Sequence, residues 1–244
     1  MYSHEYGRHI LENFTDGQVR TLSYENVRTD GEVDQAVEDA VRRGANVIFT
    51  TTPKLLLSSV RQAALHPDVK ILNCSLNTSY PSVRTYYPRL YGAKFIKGAI
   101  AGTLTRDGCI GYVADYPTYG SIASINAFAQ GARMVNANAR IYLDWAHLRD
   151  GGAVGRLQAQ GIVYIDYLDR LAASTGTQMG NRHNLALIQT HWGRLYQSLV
   201  RRVMEGSWKQ EDQGSSAVNY WWGMEQGVVS VLCSRRLPTG PRRL

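Results

Sequence analysis

Gly108-Cys109-Ile110-Gly111-Tyr112-Val113-Ala114-Asp115 is the stretch that decides the fold. Its middle is a short apolar run with β-branched and aromatic side chains, which predicts a buried strand. Residues 94–104 before it have the glycine-containing apolar pattern of a packed helix, and residues 119–135 after it carry apolar side chains at helical spacing. Helix, strand and helix in this order predict that one α/β unit ends here and that a second begins.

The chain on either side of this stretch alternates between helix and strand patterns. Before it, we expect helices over residues 3–13, 30–43 and 53–65 and strands over residues 19–27, 46–49, 69–73 and 83–87. After it, we expect strands over residues 140–143, 162–165, 184–188, 218–222 and 228–232, helices over 153–160 and 192–204, and a loop over 169–183. This alternation predicts an α/β fold with parallel sheets and right-handed crossovers. Because the chain opens with a helix, whereas such a unit normally opens with a strand, we expect the first sheet to lack its initial strand.

The composition of the chain argues against several classes of protein. No apolar run approaches the roughly 20 residues that span a bilayer, and residues 1–8 carry neither a signal sequence nor a lipobox cysteine, so we expect the chain as given to be cytoplasmic. Cys74, Cys109 and Cys233 are odd in number and scattered, which fits reduced thiols. The formal net charge of +7 allows a nucleic-acid surface, but no basic stripe interleaved with aromatic residues accompanies it. We therefore expect a solvated basic surface and no nucleic-acid partner.

Catalytic and metal-binding patterns are missing from the sequence. It has no P-loop, no G-x-G-x-x-G after a strand, no C-x-x-C, no H-E-x-x-H and no G-x-S-x-G, and its histidines are never spaced as metal ligands. Cys74 beside Ser75 is a conceivable nucleophile, but a buried thiol is the favoured interpretation. Asp115 and Asp166 both end predicted strands and could form a carboxylate pair, although carboxylates there also cap loops. We expect no enzymatic activity, no metal and no cofactor.

Polar and aromatic side chains cluster after the predicted strands, where α/β proteins bind their ligands. The threonines before residue 53 precede a helix N-terminus, whose free N–H groups could serve an anionic or hydroxylated ligand. Polar groups with a few aromatic rings suit a sugar, a nucleoside or a similar small molecule. The alternative is that the hydroxyls cap helices and the tryptophans pack. The candidate ligand-binding residues are Thr51, Thr52, Asn73, Ser75, Asp115, Tyr116, Trp145, Asp166 and Trp192.

One family resemblance rests on the block around the central stretch. It comprises Tyr91-Gly92-Ala93-Lys94-Phe95-Ile96-Lys97-Gly98-Ala99-Ile100-Ala101-Gly102 and Gly111-Tyr112-Val113-Ala114-Asp115, with Asn126-Ala127-Phe128-Ala129-Gln130-Gly131-Ala132 behind them. These residues resemble the basic membrane protein (BMP) family of ABC-transporter substrate-binding proteins, which are related to purine-nucleoside-binding lipoproteins. The resemblance implies a type I periplasmic-binding-protein fold with two Rossmann-like lobes, residues 1–104 plus 193–244 and residues 105–192, which close on a ligand. It also implies an ABC-transporter permease as a partner and an extracytoplasmic, membrane-anchored setting, which this chain could reach only through an upstream anchor.

The chain departs from the family at residues that hold the ligand. Ser75 stands where nucleoside binders carry an aspartate, Ser124 replaces a ring-stacking phenylalanine, and Thr190 replaces a lysine. Residues 172–183 also lack the aspartate-rich loop that holds the ribose. We therefore expect a non-catalytic solute-binding module whose ligand, nucleoside-like or another small polar molecule, lies between the lobes. The alternative is a cytosolic ligand-sensing regulatory module of a longer protein.

Overall fold

The computed structural model describes residues 2–76, 80–115, 119–147, 152–167, 185–208, 218–238 and 240. The chain divides into two compact units, Met1–Pro88 with His191–Trp222 and Arg89–Thr190 with Gly223–Leu244. The bounds of these units differ from those of the expected lobes, because residues 89–104 and 223–244 belong to the second unit and residues 191–192 to the first. The division into functional lobes stays a prediction.

Helices and strands alternate along most of the described chain. No helix among the described residues has both the length and the apolar character that crossing a bilayer requires. The elements in order are α1 (Tyr2–Phe14), α2 (Asp30–Arg42), β1 (Val47–Thr50), a 3₁₀ turn (Pro53–Leu55), α3 (Leu56–Leu65), β2 (Lys70–Cys74), β3 (Arg84–Pro88), α4 (Tyr91–Leu104), β4 (Cys109–Ala114), α5 (Tyr119–Val135), β5 (Arg140–Trp145), α6 (Ala153–Ala159), β6 (Tyr164–Tyr167), β7 (Ala186–Thr190), α7 (Trp192–Met204), β8 (Asn219–Trp222) and β9 (Val229–Cys233).

The first unit is built on a parallel sheet with the strand order β1-β2-β3-β8. Phe49 of β1 and Tyr86 of β3 point to the same side of the sheet and pack against Tyr196 of α7. Asn73 of β2 lies in register with Thr50 of β1, so their side chains share the other side of the sheet. The α/β class and the parallel strands agree with the sequence analysis, and β1 lies at the edge of the sheet as far as the described strands show.

The prediction of a strand over residues 19–27 is wrong. This segment runs beside α1 and α2 and is held by side chains: Thr21 N–H donates to Glu12 at 3.3 Å, and the Tyr24 hydroxyl donates to Asp39 at 2.7 Å. Asn26 has a positive φ of 59°, which interrupts an extended conformation. Apolar alternation alone does not make a strand, because a strand needs a neighbour for its backbone groups, and the only neighbour of β1 among the described strands is β2.

The second unit contains a parallel sheet with the order β5-β4-β6 and a separate antiparallel pair, β7 with β9. The antiparallel pair departs from the parallel arrangement that the sequence predicted. Strands β6 and β7 also begin about two residues later than expected, at Tyr164 and Ala186. Helices α4 and α5 pack together over one core, in which Tyr112 and Phe128 meet edge to face with ring centroids 5.1 Å apart.

Candidate functional site

The turn after β1 carries two of the candidate residues of the first unit. Thr51 is exposed, and Thr52 is half-buried and caps the 3₁₀ turn that leads into α3. The Thr52 hydroxyl accepts a hydrogen bond from Lys54 N–H at 3.4 Å, and its carbonyl accepts one from Leu55 N–H at 3.2 Å. Two N–H groups that the sequence analysis offered to a ligand therefore have acceptors within the turn itself.

Asn73 lies beneath this turn in a network of uncharged groups. Its Nδ2 donates to Thr50 Oγ1 at 2.7 Å and to the Thr52 carbonyl at 3.0 Å. Thr50 Oγ1 is in turn 2.9 Å from Ser59 Oγ on α3. Asn73 and Ser75 are both 0 % exposed, and Asn73 Oδ1 and Ser75 Oγ have no hydrogen-bond partner among the described residues. Two buried acceptors at the end of β2 thus lack a partner within the described part of the chain, which is costly unless buried water hydrates them.

Trp192 opens α7 and is only 1 % exposed. Its ring lies 3.8 Å from that of His4 and packs edge to face with Tyr86, so protein rings already contact it. His4 Nδ1 is 2.5 Å from the Tyr196 hydroxyl, and burial lowers the pKa of His4 to about 4. The Trp192 Nε1 proton has no acceptor among the described residues. Packing explains the ring of Trp192, while its N–H stays available as a donor.

Two candidates of the second unit lie at strand ends and reach the surface. Asp115 follows β4, and its Oδ1 is 2.6 Å from His147 Nε2, a separation that gives an ion pair when the imidazole is protonated. Trp145 ends β5, packs on the core of the unit and borders a cavity of about 360 Å³ beside α6. Tyr116 lies outside the described residues.

Asp166 is fully buried on β6 between two lysines of α4. Lys94 Nζ is 2.8 Å from Asp166 Oδ2, and Lys97 Nζ is 2.5 Å from Oδ1. Burial alone would raise the pKa of Asp166, but the two ammonium groups outweigh it and hold that pKa below its ordinary value. These lysines were not among the predicted site residues, although their spacing of three residues in an otherwise apolar helix was a clue. A ligand would have to displace them to reach the carboxylate.

The geometry gives little support to Cys74 as a nucleophile or to Asp115 and Asp166 as a catalytic carboxylate pair. Burial raises the pKa of the Cys74 thiol to about 12, so the thiol is protonated at neutral pH and is a poor nucleophile. Asp166 is engaged by lysines rather than paired with Asp115. Within the described ranges, no three His, Cys, Asp or Glu side chains are grouped as a metal site would require.

The chain is similar to one family of substrate-binding proteins and to individual proteins named for ligand binding. The model of a family described as PnrA-like ABC transporter substrate-binding proteins matches residues 3–176. A protein of Brucella abortus named as a purine-binding protein is 25 % identical over 264 positions, which cover 100 % of this chain and 73 % of the relative. A protein of Haloferax volcanii named as an ABC transporter glucose-binding protein is 24 % identical over 93 % of this chain and 61 % of the relative.

A solved structure supports the fold. The crystal structure of a transcriptional activator of the comK gene from Bacillus halodurans superimposes with a TM-score of 0.72, covering 98 % of this chain and 89 % of that one. Its sequence identity of 18 % makes this a likeness of fold alone.

Proposed function

This chain belongs to the family of PnrA-like ABC transporter substrate-binding proteins, and from that premise we propose that it binds a small uncharged polar ligand, nucleoside-like in size and hydrogen-bonding capacity, without transforming it. The observation that carries the proposal is the family match over residues 3–176. The proposed ligand contacts are Thr51, Thr52, Asp115, Tyr116 and Trp145, whereas Ser75 is as fully buried as Asn73.

The charge of the candidate residues favours an uncharged ligand. In the first unit the candidate side chains are all neutral, and two N–H groups of the β1–α3 turn, those of Lys54 and Leu55, are already bonded. In the second unit Asp166 is held by Lys94 and Lys97, and Asp115 lies beside His147. An anionic ligand would therefore lose its hydration and gain few free donors, which is unfavourable.

The relatives' names set the range of ligands to be tested. One is named for purine binding and another for glucose binding, so nucleosides and sugars both belong in the panel. We propose a permease of an ABC transporter as the protein partner, in keeping with the family. No catalytic step is proposed, since the Cys74 thiol is protonated and Asp166 is held by lysines.

The test is a thermal-shift panel on the whole chain, followed by calorimetry of the compounds that stabilise it. Each uncharged compound is paired with a charged analogue: inosine with inosine monophosphate, and glucose with glucuronate. We expect at least one uncharged compound to raise the melting temperature and its charged partner to have little effect. Stabilisation by the charged partners alone, or by no compound in the panel, would contradict the proposal.

A further inference from the structure

Asn73 lies below the surface on which a ligand would sit. Its exposed fraction is 0 %, whereas Thr51 in the turn above it is exposed and Thr52 is half-buried. A side chain with no accessible surface cannot touch a ligand unless its neighbours move. Asn73 and the two threonines were equal candidates on sequence grounds, but the structure buries Asn73 completely and leaves the two threonines accessible.

The amide of Asn73 has one fixed orientation. The Thr52 carbonyl can only accept a hydrogen bond, so the amide nitrogen rather than the oxygen must face it. The second Nδ2 proton is directed to Thr50 Oγ1. Thr50 is held by Ser59 Oγ at 2.9 Å and by the Leu72 carbonyl at 3.3 Å. The side chain of Asn73 on β2 therefore connects β1 and the turn after it through two hydrogen bonds.

The hydrogen bonds of Asn73 hold Thr52, the residue whose hydroxyl and carbonyl accept the hydrogen bonds of the turn. The Thr52 carbonyl accepts from both Asn73 Nδ2 and Leu55 N–H, while the Thr52 hydroxyl caps Lys54 N–H. The position of Thr52 determines the direction in which the adjacent Thr51 projects. Without the hydrogen bond from Asn73, the hydrogen bonds that the described residues give Thr52 are those within its own turn.

We infer that Asn73 is a positioning residue, which acts on a ligand through the Thr51–Thr52 turn and does not contact the ligand itself. This inference rests on the proposed function for its ligand-binding part. Its structural part concerns the turn alone, so the two can fail separately.

The first experiment measures amide hydrogen exchange by NMR in the whole chain without ligand. Asn73→Leu removes both donations at similar volume, and Thr50→Val removes one of the two acceptors. We expect the amides of Lys54 and Leu55 to exchange about tenfold faster in both variants, the factor that corresponds to one or two lost hydrogen bonds. Thr50→Ser keeps the acceptor and should restore the wild-type rates. If Asn73→Leu does not fold, the comparison of Thr50→Val with Thr50→Ser still tests whether this hydrogen bond holds the turn.

The second experiment measures inosine binding by calorimetry and the melting temperature separately. We expect Asn73→Leu and Thr50→Val to weaken inosine binding about tenfold, Thr50→Ser to bind as the wild type does, and Thr51→Val to lose affinity with no change in melting temperature. The matched control is Thr85→Val, a buried threonine of β3 whose hydroxyl donates to Asn219 and not to the turn. It should leave inosine affinity and turn exchange unchanged.

Each result bears on the inference. Unchanged exchange at Lys54 and Leu55 in Asn73→Leu and Thr50→Val overturns it. Faster exchange combined with unchanged inosine affinity overturns it as well, because the turn then does not act on the ligand. If inosine does not bind the wild-type chain, the nucleoside part of the proposed function fails, and the exchange rates alone decide whether Asn73 positions the turn.

Discussion

At the scale of single residues, the first unit contains a histidine that should make its stability depend on pH. Burial lowers the pKa of His4 from 6.5 to about 4 in the folded chain. The folded state thus binds fewer protons than the unfolded state between these values, so stability is full above pH 6.5 and falls as the pH drops towards 4. We expect a decline on the order of 2 kcal/mol in the free energy of unfolding, measured by urea denaturation across this range.

His4→Gln supplies the control for this pH dependence. Other groups also titrate, among them His191, whose pKa burial also lowers. The difference between the wild-type and His4→Gln curves isolates His4 and should shrink as the pH falls from 6.5 to 4. Parallel curves for the two proteins would show that His4 is not held neutral by its contacts with Trp192 and Tyr196.

The buried cluster of Asp166, Lys94 and Lys97 gives a second prediction at this scale. Asp166→Asn leaves the two ammonium groups buried without the carboxylate that both contact. Removing one partner from a buried ion pair typically costs about 3–5 kcal/mol. We expect a loss of this size by chemical denaturation. Adding Lys97→Met to Asp166→Asn should recover part of it, because one of the two buried ammonium groups is then gone. A loss below about 1 kcal/mol for the single variant would contradict the described geometry.

At the scale of elements, the crossing of α4 and α5 depends on glycine. A Cβ atom at Gly98 would lie 2.0 Å from the Phe128 carbonyl oxygen, and one at Gly131 would lie 1.9 Å from that of Phe95. Both obstacles are backbone atoms, so the helices themselves would have to separate. We expect Gly98→Ala to lower the free energy of unfolding by about 1–3 kcal/mol or more.

Gly155 in α6 is the matched control for this crossing. It is also a helical glycine, but a Cβ atom there would meet nothing within 4 Å. Gly155→Ala should therefore stabilise the chain by up to about 1 kcal/mol through helix propensity. Thermal or urea denaturation of both variants checks the pair, and equal effects of the same sign would refute the close approach of α4 and α5.

The elements also show where sequence reasoning succeeds. Helix α2 was predictable because Val33, Val37 and Ala40 recur on one face, which the structure buries. Its N-cap is Thr29, one residue before the expected Asp30, and Thr29 forms a reciprocal capping box with Glu32. These are local features. The segment over residues 19–27 was not predictable, since its state depends on whether a neighbouring strand is present, and the antiparallel β7–β9 pair joins segments far apart in the chain.

At the scale of the whole molecule, the same distinction applies to the candidate site. Sequence reasoning found polar residues at strand ends because strand ends follow from local patterns. It could not rank them by exposure, which depends on packing from distant elements. Asn73 is covered, Asp166 is neutralised by a helix some 70 residues earlier in the chain, at Lys94 and Lys97, and Thr51 stays exposed. The family resemblance, in contrast, was confirmed because it rests on residue identities along the chain.

The three cysteines offer a test of the packing of the molecule as a whole. Cys233 is exposed, Cys109 is partly buried, and Cys74 is buried with its pKa raised to about 12. Since the thiolate is the reactive form, a disulfide reagent at pH 8 should modify Cys233 fast, Cys109 more slowly and Cys74 only after unfolding. Cys233→Ser should remove the fast phase and leave the other two unchanged. Modification of Cys74 in the native chain at the rate of Cys233 would mean that β2 is not enclosed as described. The burial of Asn73, the neighbour of Cys74 on β2, would then no longer support its role beneath the turn.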